Sequence, residues 1–339
     1  MQKNIKLTKF IFLSFLIIIL LTYRDFLYTL KLMIFHFYNF KMLPLDPYYQ
    51  IILKYNGLIN DNFRFPWEWR VIPNIINWLT FEILPCVKPK VVPNEISDAM
   101  YCSIWSISLV NFISGALSQV LLCYYAAKKL KREIHECTLL MFTSYFLIKF
   151  LDPFGVDRIS FLFLVFFLIF SESIFAYIFI VISILVNDKC LLFITTYYFC
   201  NSFQFRFDKI KIIFLNKKFL LSFLISISYF YYISKIILQI QSDEVSYNYL
   251  NFHSFTNTIL PSIIAIFGFL LNFNNKTILK KFNLTKNHFF LIFIFFILSV
   301  FVGGPGNAGR YMVFGCVLFL PILNYQILST FKNLLTILK

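Results

Sequence analysis

Runs of Phe, Ile and Leu recur along this chain at lengths that can cross a bilayer, and they constrain its fold more than any other feature. A run of roughly 18 or more apolar residues reads as a spanning helix. Hydrocarbon offers no partner to backbone N–H and C=O groups, so only helices and closed barrels cross it. The runs here are continuously apolar rather than alternating, which selects helices. Charged residues make up only 14% of the chain, against about 25% in soluble domains. The predicted fold is all-α: a polytopic helical membrane protein of about ten transmembrane helices. It forms a single integral membrane domain over 1–339, with a long first outer loop over 24–100 that carries interfacial helices.

The expected spans are 10–23, 101–127, 136–151, 158–171, 173–187, 190–203, 219–240, 257–273, 287–302 and 310–329. Lys3, Lys6 and Lys9 precede the first, and no small-x-small cleavage site follows it, so it reads as an uncleaved span. Lys31, His36 and Lys41 interrupt the apolar stretch 26–43 and suit it to the interface rather than to a crossing. Pro66 opens a predicted helix that ends by Pro85.

The charges test this topology. With both termini cytoplasmic, the cytoplasmic segments take 18 of the 31 basic and 4 of the 16 acidic residues, leaving 13 and 12 outside. Positive residues are expected to stay inside, so one topology accounts for nearly all of the net charge of +15. Nucleic-acid binding, the usual reading of so basic a chain, loses its support. Seven scattered cysteines form no C-x-x-C pair, which argues against metal or redox chemistry. Cys86 and Cys102 can bridge only if both face an oxidising compartment.

Ionisable groups near spans are costly and usually functional, and here they collect towards the outer face. Arg64 to Trp78 holds two arginines, a glutamate, three tryptophans, two prolines and two asparagines. Arg70, Asn74 and Asn77 follow one another at i, i+4 and i+7, so one helix face presents a guanidinium and two amides beside Glu68. Such a face can hold a phosphate or a sugar; an interfacial anchor whose Arg70 pairs with Glu68 or a lipid phosphate fits as well. Asp152, Asp157 and Arg158 crowd a short turn between two spans. The stretch Gly303–Gly309 holds four of the nine glycines and ends at Arg310, an arrangement suited to an anion; a flexible loop with a snorkelling arginine fits as well. Asp25 and Asp46 are candidate general bases, since a carboxylate at a low-dielectric edge can have a raised pKa. Asp188–Lys189 reads as a paired turn, and Asn275 and Asn283 as chance matches to glycosylation acceptors.

This layout resembles the GT-C class of multispanning glycosyltransferases. The points of similarity are the cytoplasmic N-terminus, the long first outer loop, the element Arg70-Val-Ile-Pro73, the acidic turn Asp152 to Asp157, and Arg310 near the last outer loop. The resemblance implies transfer of a sugar from a polyprenyl-phosphate donor to a glycan or lipid acceptor at the outer face. It implies a base in the first outer loop, at Asp46 or Asp25, and donor contacts at Arg70 and Arg310. The sequence departs from the class in lacking a paired-acid motif there, so no cofactor is expected and a divalent metal is unsupported. The expected partners are membrane lipid, the lipid-linked sugar and its acceptor, without nucleic acid. The expected location is a bacterial inner membrane, with the endoplasmic reticulum as the alternative. Three further readings stand beside the transferase: a polysaccharide polymerase, a transporter or flippase of lipid-linked substrates, and a non-enzymatic scaffold.

Overall fold

The computed structural model describes residues 70–149, 151, 156–202, 216–240, 274–301 and 311–337, with isolated positions between 16 and 34. Among the described residues all regular structure is helical. The helices are α1 Val71–Ile83, α2 Asp98–Lys128, α3 Ile134–Ile148, α4 Asp157–Phe170, α5 Phe175–Val186, α6 Asp188–Ser202, α7 Lys217–Ile240, α8 Lys276–Lys281, α9 Phe289–Phe301 and α10 Leu320–Ile337. A 3-10 turn, Lys286–His288, leads into α9. Seven of these helices overlie predicted spans to within a few residues. α2, with 31 residues, is the one described helix long and apolar enough to cross a membrane; at 1.5 Å per residue it is about 46 Å long.

Two boundaries differ from expectation. The predicted span 310–329 is interrupted: residues 311–316 are helical, 317–319 form a turn, and α10 begins at Leu320. Pro321 sits in the first turn of α10, where its missing N–H costs no helical bond. The helix expected to start at Pro66 begins instead at Val71, with Arg70 as its non-helical cap and Pro73 in its first turn. Its end matches: Leu84 is extended, one residue before Pro85.

The chain divides into two compact units, whose border runs through α2, α4 and α5. The first comprises residues 1–121, 152–165 and 185–187. Its apolar core joins Leu30, Val92, Ile96, Tyr101, Ile104 and Ile107, with Phe81 of α1 and Trp105 of α2 packed against them. A Cys86–Cys102 disulfide ties the loop after α1 to the first turns of α2. Lys88 reinforces the loop by donating from Nζ to the Ile96 carbonyl, 2.5 Å away. The remaining cysteines, at 123, 137, 190, 200 and 316, form no disulfide and are buried.

The second unit comprises 122–151, 166–184 and 188–339. Here α7 and α9 pack along α6, and α10 packs along α3. Aromatic rings fill the space around α6: Phe167 meets Phe193, Tyr197 and Tyr198 edge-on, with centroids 5.5 to 6.5 Å apart. Polar side chains bridge helices inside this packing. Asn324 of α10 donates to Thr143 Oγ1 of α3 at 3.0 Å, and the Thr195 and Ser226 hydroxyls of α6 and α7 meet at 2.8 Å.

Candidate functional site

Three amino acids set the polar face of α1. Arg70 caps the helix, and its carbonyl accepts from Asn74 N at 3.3 Å. Asn74 and Asn77 follow at helical spacing, and each is only 1% exposed. The opposite face carries Ile75, Ile76, Leu79 and Ile83, all exposed, Ile83 to 70%. α1 is therefore amphipathic in the inverse sense, with amides inward and branched apolar residues outward. A helix on a soluble protein turns its apolar stripe to the core.

Neither polar atom of the Asn77 amide has a hydrogen-bond partner among the described residues. An unmade buried hydrogen bond costs roughly 1–3 kcal/mol, and such groups in a folded protein call for an explanation such as water or an ion. The same unit supplies more of them. Along α2, Ser108, Asn111, Gly115 and Gln119 recur at three- and four-residue spacing and form a buried stripe. Asn111 donates to the Ile107 carbonyl at 3.0 Å and Gln119 to that of Gly115 at 3.4 Å. Their side-chain oxygens, and the Ser108 hydroxyl, have no partner among the described residues.

Of the predicted site residues, Arg70, Asn74, Asp157 and Arg158 are described, and all four belong to the first unit. Asp157 opens α4 and is 3% exposed. It is an interior residue rather than part of an open turn. A carboxylate in the first helical turn is stabilised by the positive end of the helix dipole. Arg70 and Arg158 are half-buried. Nearby, Asn187 donates to Ser160 Oγ at 3.0 Å, joining α4 to the residue that follows α5. Asp25, Asp46, Glu68, Asp152 and Arg310 lie outside the described residues. The first unit thus contains a guanidinium and two inward amides on α1, groups suited to phosphate oxygens and sugar hydroxyls, and, separately, a buried carboxylate at the start of α4.

The α2 stripe was not anticipated, although its spacing could have been read from the sequence. Nor was the environment of Lys189. This side chain is 3% exposed, and its ammonium lies 4.3 Å from the centre of the Tyr311 ring. It is a buried, ring-stacked cation in the second unit. Asn275 has a structural role as well: its side chain caps α8 by accepting from Ile278 N at 3.1 Å. Among the described residues no three His, Cys, Asp or Glu side chains stand together as metal ligands. No protein family, curated protein or solved structure matches the chain.

Proposed function

We propose that this chain is a polytopic membrane glycosyltransferase that moves a sugar from a polyprenyl-phosphate donor to an acceptor at the outer membrane face. The observation that carries the proposal is the inverted α1. A helix with amides inward and isoleucines outward is stable where its surroundings are lipid and its interior is a polar cavity. Arg70, Asn74 and Asn77 then line a cavity at the bilayer edge, the level of a lipid-linked phosphate.

Several contacts agree with the topology behind this reading. The charge count assigns Lys129 and Glu172 to the same face, and their charged atoms lie 3.8 Å apart. It assigns the residues around 189 and 310 to the opposite face, and Lys189 stacks on Tyr311. A disulfide between Cys86 and Cys102 belongs in an oxidising compartment, which agrees with an outer placement of 24–100.

In the proposed reaction Asp46 or Asp25 takes the proton from an acceptor hydroxyl. The oxygen attacks the anomeric carbon, whose bond to the phosphate oxygen breaks, and the configuration inverts. Arg70 and Arg310 bind the departing lipid phosphate. Loss of a general base lowers turnover about 100-fold or more. Cells expressing Arg70→Ala, Arg310→Ala or Asp46→Asn are expected to accumulate unspent lipid-linked sugar, read by mass spectrometry of extracted lipids. A wild-type profile from all three, with the proteins folded in the membrane, would end the transferase reading.

The buried stripe on α2 favours a second reading, a flippase, because polar groups run along the helix rather than staying at one edge. A flippase would move a fluorescent lipid phosphate across vesicles without forming a glycosidic bond, whereas a transferase would form the bond without scrambling the lipid.

A further inference from the structure

A cleft with a lysine-bearing wall lies wholly within the second unit, among residues that take no part in the proposed transfer. It is a cleft of about 600 Å³, within the range of small-molecule sites, roughly 300–1,000 Å³. One wall is the end of α6, with Tyr197, Tyr198 and Asn201; another is the Ser171–Glu172 turn after α4. The third is the segment from Lys276 to Lys286, which contributes three lysines, Lys276, Lys280 and Lys286.

These lysines are held by a locked segment. Asn275 caps α8. Asn283 adopts a φ of 57°, a left-handed conformation that asparagine tolerates better than most residues, and it reverses the chain. Leu284 N then donates back to the Leu279 carbonyl at 2.8 Å, and Thr285 N donates to His288 Nδ1 at 3.0 Å. Leu279, Phe282 and Leu284 are buried and anchor the turn.

The charge in the cleft is unbalanced. Its one carboxylate, Glu172, already faces Lys129 at 3.8 Å. Lys286 donates to Asn274 Oδ1 at 3.2 Å, whereas Lys276 and Lys280 make no ion pair among the described residues. At the rim, Lys218 Nζ donates to the Ser171 and Ser173 carbonyls at 2.9 and 3.0 Å. Partial burial pushes its pKa below the ordinary lysine value, opposed by Glu172. Three ammonium groups carried by one wall of the cleft are compact point charges of the kind that bind phosphate. Basic pockets between helices at the cytoplasmic level of a membrane bind phosphate headgroups, and the charge count puts Lys276 to Lys286 at that level.

We infer that the cleft bounded by Glu172, Tyr198, Asn201, Lys276, Lys280 and Lys286 binds a phosphate anion, carried by a lipid headgroup or by a soluble phosphate compound. It stands independently of the transferase reading, which uses none of these residues.

The test uses the full chain reconstituted in nanodiscs. Phosphatidylglycerol retention against phosphatidylcholine is read by native mass spectrometry, and inorganic pyrophosphate is titrated calorimetrically. Lys276→Gln/Lys280→Gln is compared with Lys128→Gln/Lys332→Gln, which removes the same charge from exposed positions outside the cleft. A lysine near a phosphate surface changes binding about fivefold, so the cleft variant is expected to lose about 25-fold and the control little. Selective retention of phosphatidylglycerol that pyrophosphate does not displace identifies the lipid as source; saturable pyrophosphate binding without lipid selectivity identifies a soluble phosphate. Binding of neither probe by the wild type, or equal loss in both double variants, overturns the inference. Wild-type binding must also weaken as salt rises, a readout that does not depend on any variant.

Discussion

A single methyl group added at Gly315 would disturb the interior of the second unit. A Cβ there would lie 3.0 Å from Phe295 Cβ, tighter than nine in ten such contacts, and the Phe295 ring stacks, offset, on Phe314 with centroids 6.3 Å apart. Replacing glycine by alanine in a helix gains up to about 1 kcal/mol of propensity, but overpacking a full core costs about 1–3 kcal/mol. The overpacking wins, because Phe295 is completely buried and has no free direction to move. Gly315→Ala is therefore expected to lower thermal stability in detergent, and Gly315→Leu to prevent accumulation of folded protein, both read by fluorescence size-exclusion chromatography against temperature. A stabilised Gly315→Ala would show that the two helices separate freely at this point. Nothing in the sequence marks Gly315, because its neighbour Phe295 comes from another helix. The polar face of Arg70, Asn74 and Asn77 was legible, since i, i+4 and i+7 spacing is local. Lys189 was not, because its burial depends on Tyr311 and Phe314, far along the chain.

Between elements, the join of α2 and α3 shows how a charged turn becomes interior. Lys131 takes a φ of 53°, a strained choice for a residue with a side chain. It lets Arg132 N donate to the Ala126 carbonyl at 3.0 Å. The Arg132 guanidinium then lies 3.7 Å from Glu136, 4.9 Å from the Phe282 ring centre and 5.7 Å from that of Tyr325. Both charged side chains are nearly buried. Removing one partner of a buried pair costs about 3–5 kcal/mol, because the other charge is left without compensation. Glu136→Ala is accordingly expected to destabilise the folded chain by that amount in denaturant unfolding, while Arg132→Lys, which keeps the charge but loses the planar stacking, costs less. Equal stability of Glu136→Ala and the wild type would mean that water reaches the pair. From the sequence these residues looked like ordinary cytoplasmic charges, since their cover comes from the turn after α8 and from α10. The helices themselves were legible, because long apolar runs report their own lengths. The break at 317–319 was not, because Pro321 falls within an apolar run that does not change in composition.

At the scale of the whole molecule, the distribution of charge and the placement of cysteine bear on the same question, the direction in which the chain is inserted. Basic residues concentrate in the segments around Lys128, Lys218, Lys280 and Lys332, and the proposed topology puts these in the cytoplasm, as the positive-inside rule expects. The one disulfide joins the loop after α1 to the start of α2, and the five other cysteines are buried and reduced. A reducing cytoplasm would not maintain that disulfide, so the proposed orientation places it on the oxidising side, and the two considerations share no residue. Thiol labelling measures it directly, because the native cysteines are bridged or buried and give little background. Glu95 and Lys332 are exposed and lie on opposite sides in this orientation. A membrane-impermeant maleimide is expected to label Glu95→Cys in intact cells, and Lys332→Cys only after the membrane is opened. The reverse pattern would move Arg70 and Asp157 to the cytoplasmic face and would remove the outer-face transferase along with them. It would also move the lysine cleft outside, so the lipid leaflet that supplies its phosphate would change while the cleft itself would not.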